Sequence, residues 1–97
     1  MQYQDDADLL IKMAEIAASQ SDGVEGLVIA RKYYSKALVY DKTSDRAKWG
    51  LWYCCRRIKE AGGDDETNAE LLEVVTKKLS ESYTSKRLEV PSLLQRD

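Results

Sequence analysis

The chain has no histidine, one proline, two cysteines and five glycines in 97 residues, and each scarcity closes off a class of function. Without histidine, a Cys/His or Ser/His nucleophile pair and the usual imidazole general base are unavailable. The cysteines, Cys54 and Cys55, are adjacent in a helical pattern, where neighbouring side chains diverge by about 100° and a mutual disulfide would be strained. They read as reduced, small core residues. No phosphate-binding glycine motif occurs, because "AGG" precedes acids rather than Lys-Ser/Thr. The loop "GGDDE" lacks the alternating oxygen ligands and distal glutamate of a calcium loop. No catalytic residue, cofactor site or metal site is therefore assigned, and the chain is not expected to be an enzyme.

Charge of one sign is also missing. Fifteen basic residues against seventeen acidic ones, a net charge of −2, give no general reason to expect nucleic acid or an anionic membrane as partner. The pairs Arg31/Lys32, Arg56/Arg57 and Lys77/Lys78 read as solvated faces, since acidic residues are interspersed. No apolar run approaches the roughly 18 residues of a spanning helix. The start "MQYQDDADLL" lacks the basic and apolar parts of a secretory signal, so a cytoplasmic protein is expected.

What is present is helix-forming sequence. With 43% hydrophobic and 33% charged residues, the chain reads as a single small helix-rich domain rather than a disordered one. Four helices are expected, over about 6–20, 24–40, 45–60 and 68–84, within a domain spanning 1–86. In the first, Asp5 or Asp6 serves as cap, and Leu9, Leu10, Met13, Ile16 and Ala17 form the apolar set. Asp22 and Glu25 make a capping-box pattern for the second, whose inward residues are Leu27, Ala30, Tyr34, Ala37 and Leu38, with Arg31, Lys32, Ser35 and Lys36 on the polar side. Thr43 or Ser44 caps the third, and Ala47, Leu51, Cys54, Cys55 and Ile58 make its buried stripe. Trp49, Trp52 and Tyr53 lie off that stripe, so either the fourth helix or a partner covers them. "TNAE" at 67–70 is a second capping box, and Leu71, Leu72, Val75, Leu79 and Tyr83 line the fourth helix. The segment 87–97, holding Pro91, has no face to bury and reads as a flexible tail, mobile or docked on a partner.

Short loops between successive helices imply antiparallel hairpins. The finer spacing matches the end of the tetratricopeptide signature, which runs Ala, three residues, an aromatic, then a helix stop. Ala30, Tyr34 and Ala37 fit it, with Lys42 at the stop in place of proline. Leu10, Met13 and Ala14 suit the preceding helix of the repeat, and Ala47 and Leu51 begin the next, although Trp52 stands where a small residue belongs and Gly50 is displaced by two. The expected fold is an all-α stack of antiparallel hairpins, a degenerate tetratricopeptide α-solenoid. Its repeat core is Ala14, Ala30, Tyr34, Ala37, Leu51 and Cys55. The candidate interface residues are Leu9, Leu10, Tyr33, Tyr40, Trp49, Trp52 and Tyr53.

A long glycine-bearing turn, then "ARKYYSKAL", then a polar turn followed by "RAKWGLWYC", resembles the C-terminal end of the tetratricopeptide subunit 2 family of the endoplasmic reticulum membrane protein complex. Members of that family carry a motif close to "RKYFAQAL" and then "RALFGL" at the matching places. The resemblance covers residues 8–84 and is strongest over 29–53. It implies a non-catalytic scaffold, peripheral on the cytosolic face of the endoplasmic reticulum membrane. The implied partners are protein subunits of the membrane-protein insertion complex, with membrane contact only indirect through them and no nucleic acid. It also implies that these residues are the C-terminal piece of a longer subunit. The other readings are a free-standing tetratricopeptide adaptor that holds a peptide, as chaperone-binding modules do, and a small helical RNA-binding protein, which the net charge disfavours. Repeat proteins need neighbours for stability. The first helix is therefore expected to expose an apolar flank around Leu9, Leu10 and Ile16, to be covered by an upstream repeat or by self-association with a second copy.

Overall fold

The computed structural model describes residues 3–20, 23–63, 65–86 and 89–95. They form five helices and no strand: α1 (Tyr3–Gln20), α2 (Val24–Tyr40), α3 (Asp45–Glu60), α4 (Glu66–Ser85) and the short α5 (Ser92–Gln95). The packing is sequential. α2 lies on α1, α3 on α2 and α4 on α3, with smaller contacts between α1 and α3 and between α4 and α5. The late half of α1 faces the early half of α2 across a groove lined by Met13, Ile16, Gly26 and Ile29, so these helices run antiparallel. The same holds for α3 and α4, where Asn68 reaches the Cys55 carbonyl at one end and Lys86 reaches Asp45 at the other.

Local chemistry sets the helix ends. The Ser44 hydroxyl accepts the Ala47 N–H at 3.2 Å, satisfying one of the orphan donors of the first turn of α3. At its other end Gly62 adopts φ 85°, a left-handed conformation that glycine takes without penalty, and the Gly63 N–H returns to the Ile58 carbonyl at 3.0 Å. α4 is capped by Asp65, whose carboxylate accepts the Asn68 N–H at 2.8 Å, rather than by the expected Thr67, which lies inside the helix. A charged acceptor placed two residues earlier meets the positive helix end directly. Asp5 and Asp6 likewise fall inside α1, which is already helical at Tyr3. Asp22 lies outside the described residues, and Gly23 occupies the cap position of α2 without a side-chain bond.

The core joins all five helices through Ala7, Ile11 and Ala14 of α1, Ala30, Tyr34 and Ala37 of α2, and Ala47, Leu51, Cys54 and Cys55 of α3. Val75 and Leu79 of α4 and Leu94 of α5 complete it. For α3 the buried stripe is the expected one. For α1 it is not: Ala7, Ile11 and Ala14 are the buried set, whereas Leu9, Met13 and Ile16 point outward. The helix is rotated because small residues allow the axes of α1 and α2 to approach closely, Ala14 and Ala30 both being fully buried. The larger apolar side chains are thereby left on the outer face.

Two further expectations are corrected. Arg31, assigned to the polar side of α2, is 8% exposed. The segment after Lys86 does find a face to bury, since Leu94 is 5% exposed within the core and Val90 packs beside it. A single turn suffices for this, Pro91 accepting the Leu94 N–H at 3.0 Å. Residues 87, 88, 96 and 97 of that segment lie outside the described residues.

Candidate interaction surface

Close approach of α1 and α2 through alanine and glycine leaves a valley between their outer faces. It is an open groove of about 480 Å³ lined by Met13, Ile16, Ala17, Gly26, Ile29 and Tyr33, with Gln20 and Glu25 at one end. Ile16 is 53% exposed, Ile29 47% and Met13 38%, and Leu9, one turn before Met13, is 58% exposed. Nine large apolar residues are exposed among those described, and six of them (Leu9, Met13, Ile16, Ile29, Val39 and Tyr40) belong to α1 and α2. Apolar exposure is thus concentrated on the first hairpin, which makes the outer face of α1 and α2 the candidate interaction surface.

The candidate interface residues divide between this face and the interior. Leu9 is exposed on the α1 side, Tyr33 lines the groove half-buried, and Tyr40 is partly exposed at the end of α2. Leu10 instead packs against the core. Trp49 and Trp52 are half-buried, edge to face at 5.5 Å, and Tyr83 of α4 closes on Trp49 at 6.4 Å. α4 therefore covers the second aromatic face of α3. Tyr53 is exposed and lies under the Arg57 guanidinium, which donates to its hydroxyl at 3.0 Å. Met13 and Ile29 complete the groove and were absent from the candidate set. The signal for Met13 was the alanine series Ala7, Ala14 and Ala18, which competes with the larger residues for the inward face of α1.

The repeat-core residues lie together in the interior: Ala14, Ala30, Ala37 and Cys55 have no exposed surface, Leu51 is 4% exposed and Tyr34 7%. Gly50 of α3 sits under the Tyr34 ring so closely that a β-carbon there would overlap it. Gly50, rather than the position of Trp52, thus provides the small residue on which α2 rests.

Behind the groove, α2, α3 and α4 are tied by a buried polar link. The Arg31 guanidinium donates to the Asn68 side-chain oxygen at 3.0 Å, and the Asn68 amide donates to the Cys55 carbonyl at 3.0 Å. The Asp65 carboxylate stands 4.0 Å from the guanidinium, placing a countercharge at the mouth of the link.

The interior offers no activated nucleophile at Cys54 or Tyr34. Burial pushes the Cys54 thiol up to about 12, with the neighbouring Cys55 adding to the shift, and burial likewise holds the Tyr34 hydroxyl at about 12. Both stay protonated at neutral pH, the opposite of what a reactive thiol requires. On the surface, Thr43 hydrogen bonds hold the Asp41 carboxyl below its ordinary range, which tightens the α2–α3 turn. Among the described residues no helix is long and apolar enough to cross a membrane. No family model, curated protein or solved structure matches this chain.

Proposed function

We propose that this chain is a non-catalytic protein-interaction scaffold of the tetratricopeptide type, whose first hairpin takes an apolar helix of a partner protein in the α1–α2 groove. The observation that carries the reading is the outward placement of Leu9, Met13, Ile16 and Ile29 over a groove between antiparallel helices. A valley between two helices accepts a third helix by ridge-and-groove packing, and an apolar stripe on the incoming helix matches the lining. The sequential antiparallel stack, the Ala14 and Ala30 burial and the seating of Tyr34 over Gly50 support a repeat architecture.

The resemblance of residues 29–53 to the subunit 2 family of the endoplasmic reticulum membrane protein complex makes the cytosolic side of that insertion complex the proposed setting. The partner helix would then come from another subunit, or from an adjoining repeat.

The test is affinity purification in mild detergent of the endogenous gene product carrying a C-terminal tag, as wild type and as Met13→Glu/Ile16→Glu. Both substituted side chains are exposed, so the fold is expected to tolerate them. Recovery of membrane subunits of the insertion complex with the wild type, and their loss with the variant, supports the proposal. Recovery of a soluble chaperone instead supports the adaptor reading, and recovery of the same companions with both proteins rules out the groove.

A further inference from the structure

The first turn of α3, the α2–α3 turn and the last two turns of α4 meet at the end of the molecule that carries Asp45. They bring four lysines to one depression of about 450 Å³: Lys42, Lys48, Lys78 and Lys86, with Thr43 and Ser82 between them. Sequence spacing gives no hint of this cluster. None of the adjacent basic pairs contributes to it as a pair, and only the fold gathers lysines separated by up to 44 positions.

Two carboxylates line the same depression, Asp45 and Glu81. Asp45 is shared, 3.7 Å from the Lys48 ammonium and 3.5 Å from that of Lys86. Lys42 and Lys78 have no carboxylate within ion-pair distance among the described residues. The nearby Asp41 carboxylate is turned to the Thr43 N–H and hydroxyl at 3.0 and 2.7 Å. Four cations thus line a concave site with two anions, in a chain whose net charge is −2. Concavity focuses the field of such a cluster, so the local potential opposes the sign of the whole.

We infer that this depression is a docking site for an acidic segment of a partner protein, separate from the apolar groove and independent of the scaffold reading. Lys78 lies on α4 and Lys86, eight residues on, caps its C-terminal end, which sets their backbones about 12 Å apart along the helix axis. Successive carboxylates of a peptide match that spread better than one compact anion does. Lys42 and Lys78 would take up the first two carboxylates, and a third would displace Asp45 from Lys86.

The experiment is fluorescence anisotropy of the full chain with a labelled Glu/Ser peptide of about twelve residues, at 50 and 300 mM NaCl. It compares wild type, Lys42→Glu/Lys78→Glu and the control Lys59→Glu, whose exposed lysine lies at the opposite end of α3. Circular dichroism checks that each variant is folded. The expected result is binding by wild type and control that weakens about tenfold in the double variant and several-fold at the higher salt, where screening shortens the reach of surface charges. Equal binding by all three proteins, or no binding by wild type, overturns the inference. So does a lysine-dependent response to phosphatidylserine vesicles without any response to the peptide, which would make the site a lipid contact.

Discussion

Arg31 of α2 and Asn68 of α4 are joined by a 3.0 Å hydrogen bond although the two helices are not neighbours in the stack. The Asn68 amide passes the connection on to the Cys55 carbonyl of α3, so one asparagine registers three helices. A guanidinium with only 10% of its side chain exposed cannot lose its acceptor cheaply. Asn68→Ala is expected to lower unfolding free energy by about 3 kcal/mol, the typical penalty for stranding a buried charged donor. The double variant Arg31→Met/Asn68→Leu should recover at least part of that loss. Urea denaturation of the three proteins checks this, and a double variant no more stable than Asn68→Ala would show that the bond does not organise the stack.

Gly50 is expected to resist even the smallest enlargement. Gly50→Ala ordinarily favours a helix by about 1 kcal/mol, but here the added methyl overlaps the Tyr34 ring. A net destabilisation of about 1–3 kcal/mol should appear as a lowered Tm. Combining it with Tyr34→Leu should cost less than the sum of the two single changes, because the shorter side chain vacates the contested space.

Alkali should weaken the fold through Cys54 and Tyr34. Their ordinary values are 9.0 and 10.0, and burial raises both to about 12 in the folded chain. Between those limits the unfolded chain has lost protons that the folded chain keeps, so stability falls as pH rises. It is fully present below pH 9 and declines progressively toward pH 12. Denaturant midpoints measured from pH 7 to 11 should show this decline, and Cys54→Ala should remove part of its slope.

The C-terminal turn should contribute to stability. Leu94→Ala removes a side chain that is 5% exposed in the core and is expected to cost about 2–3 kcal/mol. Leu93→Ala, one position earlier and 55% exposed, should change little. If both variants melt with the wild type, the tail is not docked in solution.

Much of the architecture is legible in the chain alone. Period-3.6 apolar spacing with Ser44 and the "AGG" stop determined α3 almost residue for residue, because its stripe of small and aliphatic residues, Ala47, Leu51, Cys54, Cys55 and Ile58, is told apart by size from the aromatic set of Trp49, Trp52 and Tyr53. α1 was ambiguous for the opposite reason. It carries one apolar set of large residues and another rich in alanine, and periodicity cannot rank two stripes that are both apolar.

The sequence by itself determined the helical class, the positions of the main turns, and the absence of histidine-based chemistry, since these depend on local spacing and composition. Tertiary structure alone decided the rotation of α1, the burial of Arg31 against Asn68, the covering of Trp49 by Tyr83 and the gathering of Lys42, Lys48, Lys78 and Lys86. Each depends on which helix approaches which, and how closely. That is set by small residues such as Ala14, Ala30 and Gly50 acting across the chain, and such contacts leave no period in a linear pattern.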